Sequence, residues 1–438
     1  MIGPDRRLVM AVAAWCGIAL LAVPLPLLRP LVAAAALGLV ALALVDLQLL
    51  RRLPAPRLRR QLPERAFAGR PATVAVEVAA PRGTVLRCAL ADDPPADVLA
   101  EPPLFPMLDL TGSGRVERAY AIRPQRRGDR RFGELVALVV SPLGLLRRRH
   151  RADGGDEVLR VYPDTTRLLH PAALDPKRVL AALGVKPAPR RGDGMDFDSL
   201  RDYQPGDDPR RVDWRATARR GRLVTRQFQH ERNHTVLIAV DASRLMAADV
   251  DGRSKLDHAI DAGLALAYAA LQAGDRVGLI AFDRELRGFA APRAQRRQLG
   301  VLIDLLRPLE PRLVEPDYRV VVRTLAARHR QRALVVVLTD VVEAGAAIFT
   351  EPLAVLGRRH RVLLVALRDR LFAGLDAPAG TDMVAVSRRL VLADLVRERD
   401  TALATLRRGG VQSVDLPPEA ITAAVLERYL ALRYGPER

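Results

Sequence analysis

Thr235-Val236-Leu237-Ile238-Ala239-Val240-Asp241 is the stretch that decides the fold class. It is apolar at every position but its ends, as a strand covered on both faces must be, and it stops at a carboxylate. After a short polar segment, Lys255 to Gln272 places Leu256, Ile260, Leu264, Ala267 and Leu271 at helical spacing. The alternation then repeats. Strand-like runs at Arg276 to Phe282, Ala333 to Thr339, Val362 to Leu367 and Val411 to Leu416 are separated by helical ones. A last helical run, Pro417 to Arg433, opens on prolines suited to a first turn. Such β-α repetition across residues 233–438 predicts an α/β domain, a mostly parallel sheet with helices on both faces. Ligands of such sheets sit beyond the carboxyl ends of the strands. Two of those ends carry carboxylates, Asp241 and Asp340.

Upstream lies a run of different character, Gly192 to Arg219, GDGMDFDSLRDYQPGDDPRRVDWRATAR. Acids and arginines alternate in it with little apolar periodicity. Its seven aspartates suggest calcium, but the spacing lacks the alternating oxygen ligands and terminal glutamate of a calcium loop. Two readings remain open. The first is an ion-paired connector with Tyr203 and Trp214 as buried anchors. The second is a partner-docking element built on Asp196, Phe197, Arg201, Tyr203, Pro205, Gly206, Asp207, Asp208, Arg210, Asp213, Trp214 and Arg219. The tripeptides Arg127 to Asp129 and Arg191 to Asp193 match a cell-adhesion motif by chance in so arginine-rich a chain.

From Pro54 to about residue 165, proline and glycine punctuate short period-two runs, at Thr73 to Val78, Val85 to Leu90 and Arg115 to Ile122. That pattern predicts antiparallel strands in a small β-sandwich-like domain, 54–165, followed by a connector, 166–232. At the N-terminus, Leu8 to Leu28 is uncharged, and Leu31 to Leu50 carries one carboxylate, Asp46. Each run is long enough to cross a hydrocarbon core of about 30 Å at about 1.5 Å per residue. Residues 1–53 therefore read as a transmembrane helical hairpin, with spans near 8–28 and 31–50. Arg6 and Arg7 precede it and Arg51, Arg52, Arg57, Arg59 and Arg60 follow, against Arg29 alone in the turn. The positive-inside rule then sets both ends, and the body, in the cytoplasm at the inner membrane, with the basic flank drawn to anionic lipid. A cleaved signal peptide is the rival reading. It is opposed by the apolar run, which resumes and ends at a basic cluster.

Net charge is +19, carried by arginine; the only lysines are Lys177, Lys186 and Lys255. A basic balance permits non-specific nucleic-acid binding, but aromatics at 4% are too few for base-stacking platforms. Cys16 and Cys88 have no partner at metal or redox spacing. The histidines (150, 170, 230, 234, 258, 329 and 360) are scattered, and the pair His230/His234 lacks the glutamate of a zinc helix. No phosphate-binding loop, nucleophile elbow or dinucleotide fingerprint is present. The expectation is a chain that is not an enzyme.

The run from Gly194-Met195-Asp196-Phe197 to Ala216-Thr217-Ala218-Arg219 resembles the signature of the domain of unknown function 58 family. Arg127-Gly128, Ser141-Pro142-Leu143-Gly144-Leu145 and Val161-Tyr162-Pro163 are similar to that family's β-region. The resemblance implies a membrane protein facing the cytoplasm and associated with MoxR-type AAA+ ATPases. Asp241-Ala242-Ser243-Arg244-Leu245 and Asp340 in turn resemble the metal-ion-dependent adhesion site of von Willebrand factor A domains, which holds Mg²⁺ through oxygen ligands. Leu245 replaces one ligating serine and the expected threonine is missing, leaving Asp241, Ser243 and Asp340. The leading expectation is therefore a multidomain, metal-free adaptor with a von Willebrand A-like domain, working with a MoxR-type ATPase on membrane or envelope proteins. Mg²⁺-dependent ligand binding at Asp241, Ser243 and Asp340 is the first alternative; in the metal-free reading Asp241 and Ser243 order the turn and Arg244 can neutralise Asp241. Non-specific nucleic-acid binding is the second.

Overall fold

The structure, a computed structural model, describes residues 2–81, 84–101, 104–110, 114–152, 157–164, 191–205, 207–229, 234–341, 346–369, 372 and 383–434. Residues 166–190 of the connector, Gly206 and His230 lie outside them. The chain divides into two compact units, Met1–Tyr162 and Pro163–Arg438.

The first unit joins two apolar helices to a β-structure. Helix α1 (Arg6–Ala22) and helix α2 (Arg29–Arg52) are linked by a short 3₁₀ turn and pack on each other. Among the described residues, α2 is the one helix long and apolar enough to cross a membrane. Its side chains are mostly uncovered, Leu37 being 73% exposed. Strand β1 (Ile2–Pro4) precedes α1. After α2 come β2 (Arg57–Gln61), β3 (Ala66–Phe67), β4 (Ala72–Ala79), β5 (Leu86–Ala91), β6 (Val98–Ala100) and β7 (Leu104–Leu110). Then follow β8 (Arg115–Pro124), β9 (Gly128–Arg131), β10 (Val136–Val140), β11 (Leu146–Arg151) and β12 (Val158–Tyr162). They form sheets ordered β1-β11-β10-β5-β7, β2-β4-β8-β6 and β3-β12-β9. The period-two residues Val74, Val76 and Val78 of β4 share one core with Leu86, Cys88 and Leu90 of β5. Both ends of the helical pair meet this β-structure. β1 pairs antiparallel with β11, and Asp46 of α2 is buried against the turn at Ser141–Leu145. Gly144 ends that turn at a φ of +74°, which explains glycine there.

One expectation is corrected here. Arg60 does not belong to a lipid-facing flank. It is buried, paired with Asp92 and Glu157, while Arg51, Arg52, Arg57 and Arg59 are exposed.

Among the described residues the first elements of the second unit are a two-stranded ribbon, β13 (Arg191–Asp202) and β14 (Val224–Gln229), with helix α3 (Trp214–Arg220) between them in sequence. The sheet strands are β15 (Thr235–Asp241), β18 (Arg276–Phe282), β19 (Leu286–Arg293), β20 (Leu334–Thr339), β21 (Arg361–Leu367) and β22 (Gln412–Leu416). A small hairpin, β16 (Asp249–Val250) and β17 (Arg253–Ser254), precedes α4 (Lys255–Gln272). The order is β19-β18-β15-β20-β21-β22, parallel throughout except β19, an antiparallel edge that the apolar pattern did not signal. Every residue of β15 is buried. Helices α4, α5 (Arg297–Leu306) and α9 (Ile421–Tyr434) cover one face; α6 (Arg319–Arg328), α7 (Ala346–Gly357) and α8 (Met383–Arg408) cover the other. The two apolar layers explain why the parallel strands are hydrophobic on both sides.

Candidate functional site

Two clusters of the second unit carry the residues singled out by sequence. The first is the signature. Asp213 caps α3, accepting from the backbone N–H of Arg215 and Ala216 at 3.0 Å, and Arg226 reaches its other oxygen at 2.9 Å. Those backbone bonds, then Arg226, hold its carboxyl below the usual range. Asp207 accepts from Arg201 at 2.5 Å and from the N–H of Gln204 at 3.0 Å, and its carboxyl is depressed for the same kind of reason. Asp208 accepts from the Arg210 N–H, and Asp202 pairs with Arg222 at 2.8 Å. Tyr203 is half-buried and donates its hydroxyl to the Asp207 carbonyl. Each aspartate of the signature whose side chain is described is thus committed to local structure.

Trp214 departs from the buried-anchor expectation. It is 68% exposed on the first turn of α3, and Arg210, Arg215, Arg219 and Arg220 around it are exposed as well. The helix has seven residues and buries only Ala216, so it has no room for a large apolar face. Pro205 is exposed; Asp196 and Phe197 lie on β13, opposite Gln229 and Phe228 of β14.

The second cluster lies at the carboxyl ends of β15 and β20. Asp241 is fully buried. One oxygen accepts from the Ser243 N–H at 2.8 Å, the other from the Thr339 hydroxyl at 2.6 Å. Because that Thr339 proton is spent, the Tyr318 hydroxyl, 2.8 Å away, donates to Thr339. Burial, with Asp340 nearby, pushes the Asp241 carboxyl up to about 6. Ser243 Oγ accepts from the Leu245 N–H. Asp340 is bracketed by two cations. Lys255 Nζ donates to one oxygen at 2.7 Å and Arg399 Nη1 to the other at 2.6 Å. Lys255 also pairs with Asp369 at 3.1 Å, and Arg399 with Asp415 at 2.8 Å and with the Val341 carbonyl. Burial alone would lower the Arg399 guanidinium, yet Asp415 and Asp340 hold it above its ordinary value. Arg244 pairs with Glu315 at 2.6 Å.

The structure therefore brings Asp241, Ser243 and Asp340 to one end of the sheet, with partners the sequence did not announce: Lys255, Tyr318, Thr339, Arg399 and Asp415. As arranged, the set does not fit an octahedral Mg²⁺. Both Asp340 oxygens already face cations and both Asp241 oxygens face donors, whereas Mg²⁺ needs free oxygens at about 2.0–2.1 Å. Among the described residues no group of three or more His, Cys, Asp or Glu is arranged to hold a metal ion.

Comparison with solved structures gives a CARDB domain of a Pyrococcus furiosus protein in complex with di-metal ions. It matches 25% of this chain and 90% of its own, at 12% identity and a TM-score of 0.16. An uncharacterized membrane-spanning protein from Vibrio fischeri matches 46% of this chain and 99% of its own, at 15% identity and a TM-score of 0.15. Uncharacterized proteins of Mycobacterium bovis and Mycobacterium tuberculosis are 30% identical over 189 residues, 43% of this chain. The chain spans 58% of the length of these relatives. The family model described as "Protein of unknown function DUF58" matches residues 199–379, from within the signature through most of the α/β sheet.

Proposed function

We propose that this chain is a membrane-anchored, non-enzymatic adaptor whose signature ribbon docks an acidic protein partner. The observation that carries the reading is the exposure of Trp214 among Arg210, Arg215, Arg219 and Arg220, while the neighbouring aspartates are spent internally. Tryptophan and arginine are the residues enriched where protein interfaces concentrate their binding energy. A surface whose acids are tied up and whose arginines are outward favours a partner with carboxylates. The resemblance to the domain of unknown function 58 family suggests a MoxR-type AAA+ ATPase as that partner, acting on membrane or envelope proteins. The six-stranded sheet, with its aspartates at the strand ends, is the von Willebrand A-like platform of the adaptor.

The tether in this reading is the pair α1 and α2. β1 before α1 and Asp46 near the end of α2 both meet the same β-structure, so the two helices cross a bilayer together or not at all. Exposed Arg6, Arg7, Arg51 and Arg52 flank them on that side, which favours that side as the cytoplasmic one of the inner membrane. A periplasmic-active reporter inserted at the Arg29 turn tests the tether, with activity expected there and none at the C-terminus. Capture of a purified MoxR-type ATPase by the detergent-solubilised full chain, with and without ATP, tests the docking.

A further inference from the structure

The strand-end cluster contains two buried carboxylates, Asp241 and Asp340, at the ends of adjacent parallel strands. Buried charges of one sign need compensation nearby. Here the compensation comes from the chain itself. Lys255 is the first residue of α4, and its relative exposure is 2%. A cation at a helix N-terminus opposes the helix dipole, so its burial there needs a specific counter-charge. It has two, Asp340 and Asp369. Arg399, on α8, is 3% exposed and closes the other side of Asp340 before passing to Asp415 on β22. The choice of lysine is informative in a chain that otherwise uses arginine almost throughout. An ammonium is a compact point charge with donors in several directions, closer to a metal ion than a planar guanidinium is.

We infer that Lys255, braced by Arg399, is the built-in substitute for a divalent cation at this strand end, so that the face is assembled without metal. Lys255 comes from the helix that follows β15, Asp340 from the end of β20, and Arg399 and Asp415 from the far edge of the domain. One ion-pair chain thereby fastens α4, β20, α8 and β22. A divalent ion added beside Asp340 would stand against two fixed positive charges already in bonding contact with it. Its oxygens would have to be vacated first.

The test is thermal unfolding of the full chain in detergent, read with Mg²⁺, Mn²⁺ or a chelator at matched ionic strength, for wild type and Lys255→Ala. The wild-type midpoint is expected to be the same in all three. Lys255→Ala, which bares Asp340 and Asp369 to a shared space, is expected to melt lower in chelator and to recover with millimolar Mn²⁺ or Mg²⁺. A wild-type midpoint that rises with either ion overturns the inference. So does a folded Lys255→Ala that ignores both. Should Lys255→Ala not fold, loss of the free Mn²⁺ resonance on adding wild-type protein decides the matter: one tightly bound ion per chain overturns the inference, and an unchanged signal upholds it. None of these readouts involves the docking partner, so the outcome is separate from that of the adaptor reading.

Discussion

Asp46, near the end of an apolar helix, accepts a hydrogen bond from the Ser141 hydroxyl at 2.5 Å across 95 positions of sequence. The same carboxylate takes the backbone N–H groups of Leu143 and Leu145 at 3.1 Å, and Ser141 Oγ in turn accepts from Leu146. One acid thus gathers the whole turn between β10 and β11 onto α2. A charged residue at the end of an apolar run reads from sequence as a span boundary; here it is also the bolt between helix and β-structure.

Asp46→Ala removes the acceptor of three donors, and the two buried ones, the Ser141 hydroxyl and the Leu145 N–H, cost about 1–3 kcal/mol each before relaxation. The first unit is expected to lose stability on that order. Asp46→Asn is expected to lose less, because its one oxygen can still accept from Ser141 and Leu145 while only the Leu143 N–H meets the amide nitrogen. Thermal unfolding in detergent, with limited proteolysis at the 141–146 turn, measures both.

The cluster around Arg60 predicts a second ranking. Asp92 takes the Tyr120 hydroxyl at 2.6 Å as well as the guanidinium, and Arg60 also reaches Glu157 and the Gly133 carbonyl at 2.9 Å. Arg60→Met strands a buried carboxylate and is expected to cost about 3–5 kcal/mol. Tyr120→Phe removes one of several bonds to Asp92 and is expected to cost about 1–2 kcal/mol. Denaturant unfolding of the variants gives the order. Equal losses would mean that the ion pair is not the dominant contact.

The buried Asp241 carboxyl gives a pH signature. Burial raises it to about 6 in the folded chain, above its ordinary value of 3.8. Between those values the folded state binds more protons than the unfolded chain, so stability falls as pH rises through the window and levels off above it. The loss across the window is on the order of 2–3 kcal/mol. Asp241→Asn is expected to remove this slope. The difference between the two stability curves from pH 4 to pH 7, by denaturant titration, isolates Asp241 from other titrating groups.

Much of the α/β sheet was legible because it is written locally. The apolar runs of β15 and β18 and the helical spacing of α4 coincide with the structural elements. β19 escaped notice because an edge strand facing solvent carries no continuous apolar run, and Leu286 to Arg293 contains Pro292. The closing helical run also splits, into a 3₁₀ turn at Pro418–Ala420 and helix α9. The strand-end cluster was half visible. Asp241 and Asp340 end their strands, but Lys255 and Arg399 join Asp340 across 85 and 59 positions, and no local pattern records such pairings. The rarity of lysine was the one available hint. Trp214 stood in both open readings of the signature, as a buried anchor and as a docking residue, and its 68% exposure sets aside the first. The arginines flanking it in sequence, in a helix too short for an apolar face, were the signal against burial.

The adaptor reading stands or falls on Trp214. The direct measurement is equilibrium binding of a purified MoxR-type AAA+ ATPase to the detergent-solubilised full chain, comparing wild type with Trp214→Ala at two salt concentrations. Truncating a central interface tryptophan costs about 2 kcal/mol or more, so affinity is expected to drop roughly thirtyfold. Higher salt is expected to weaken the wild-type complex further, through the screened arginines. Absence of saturable binding by the wild type, or equal affinity for Trp214→Ala, would contradict the account.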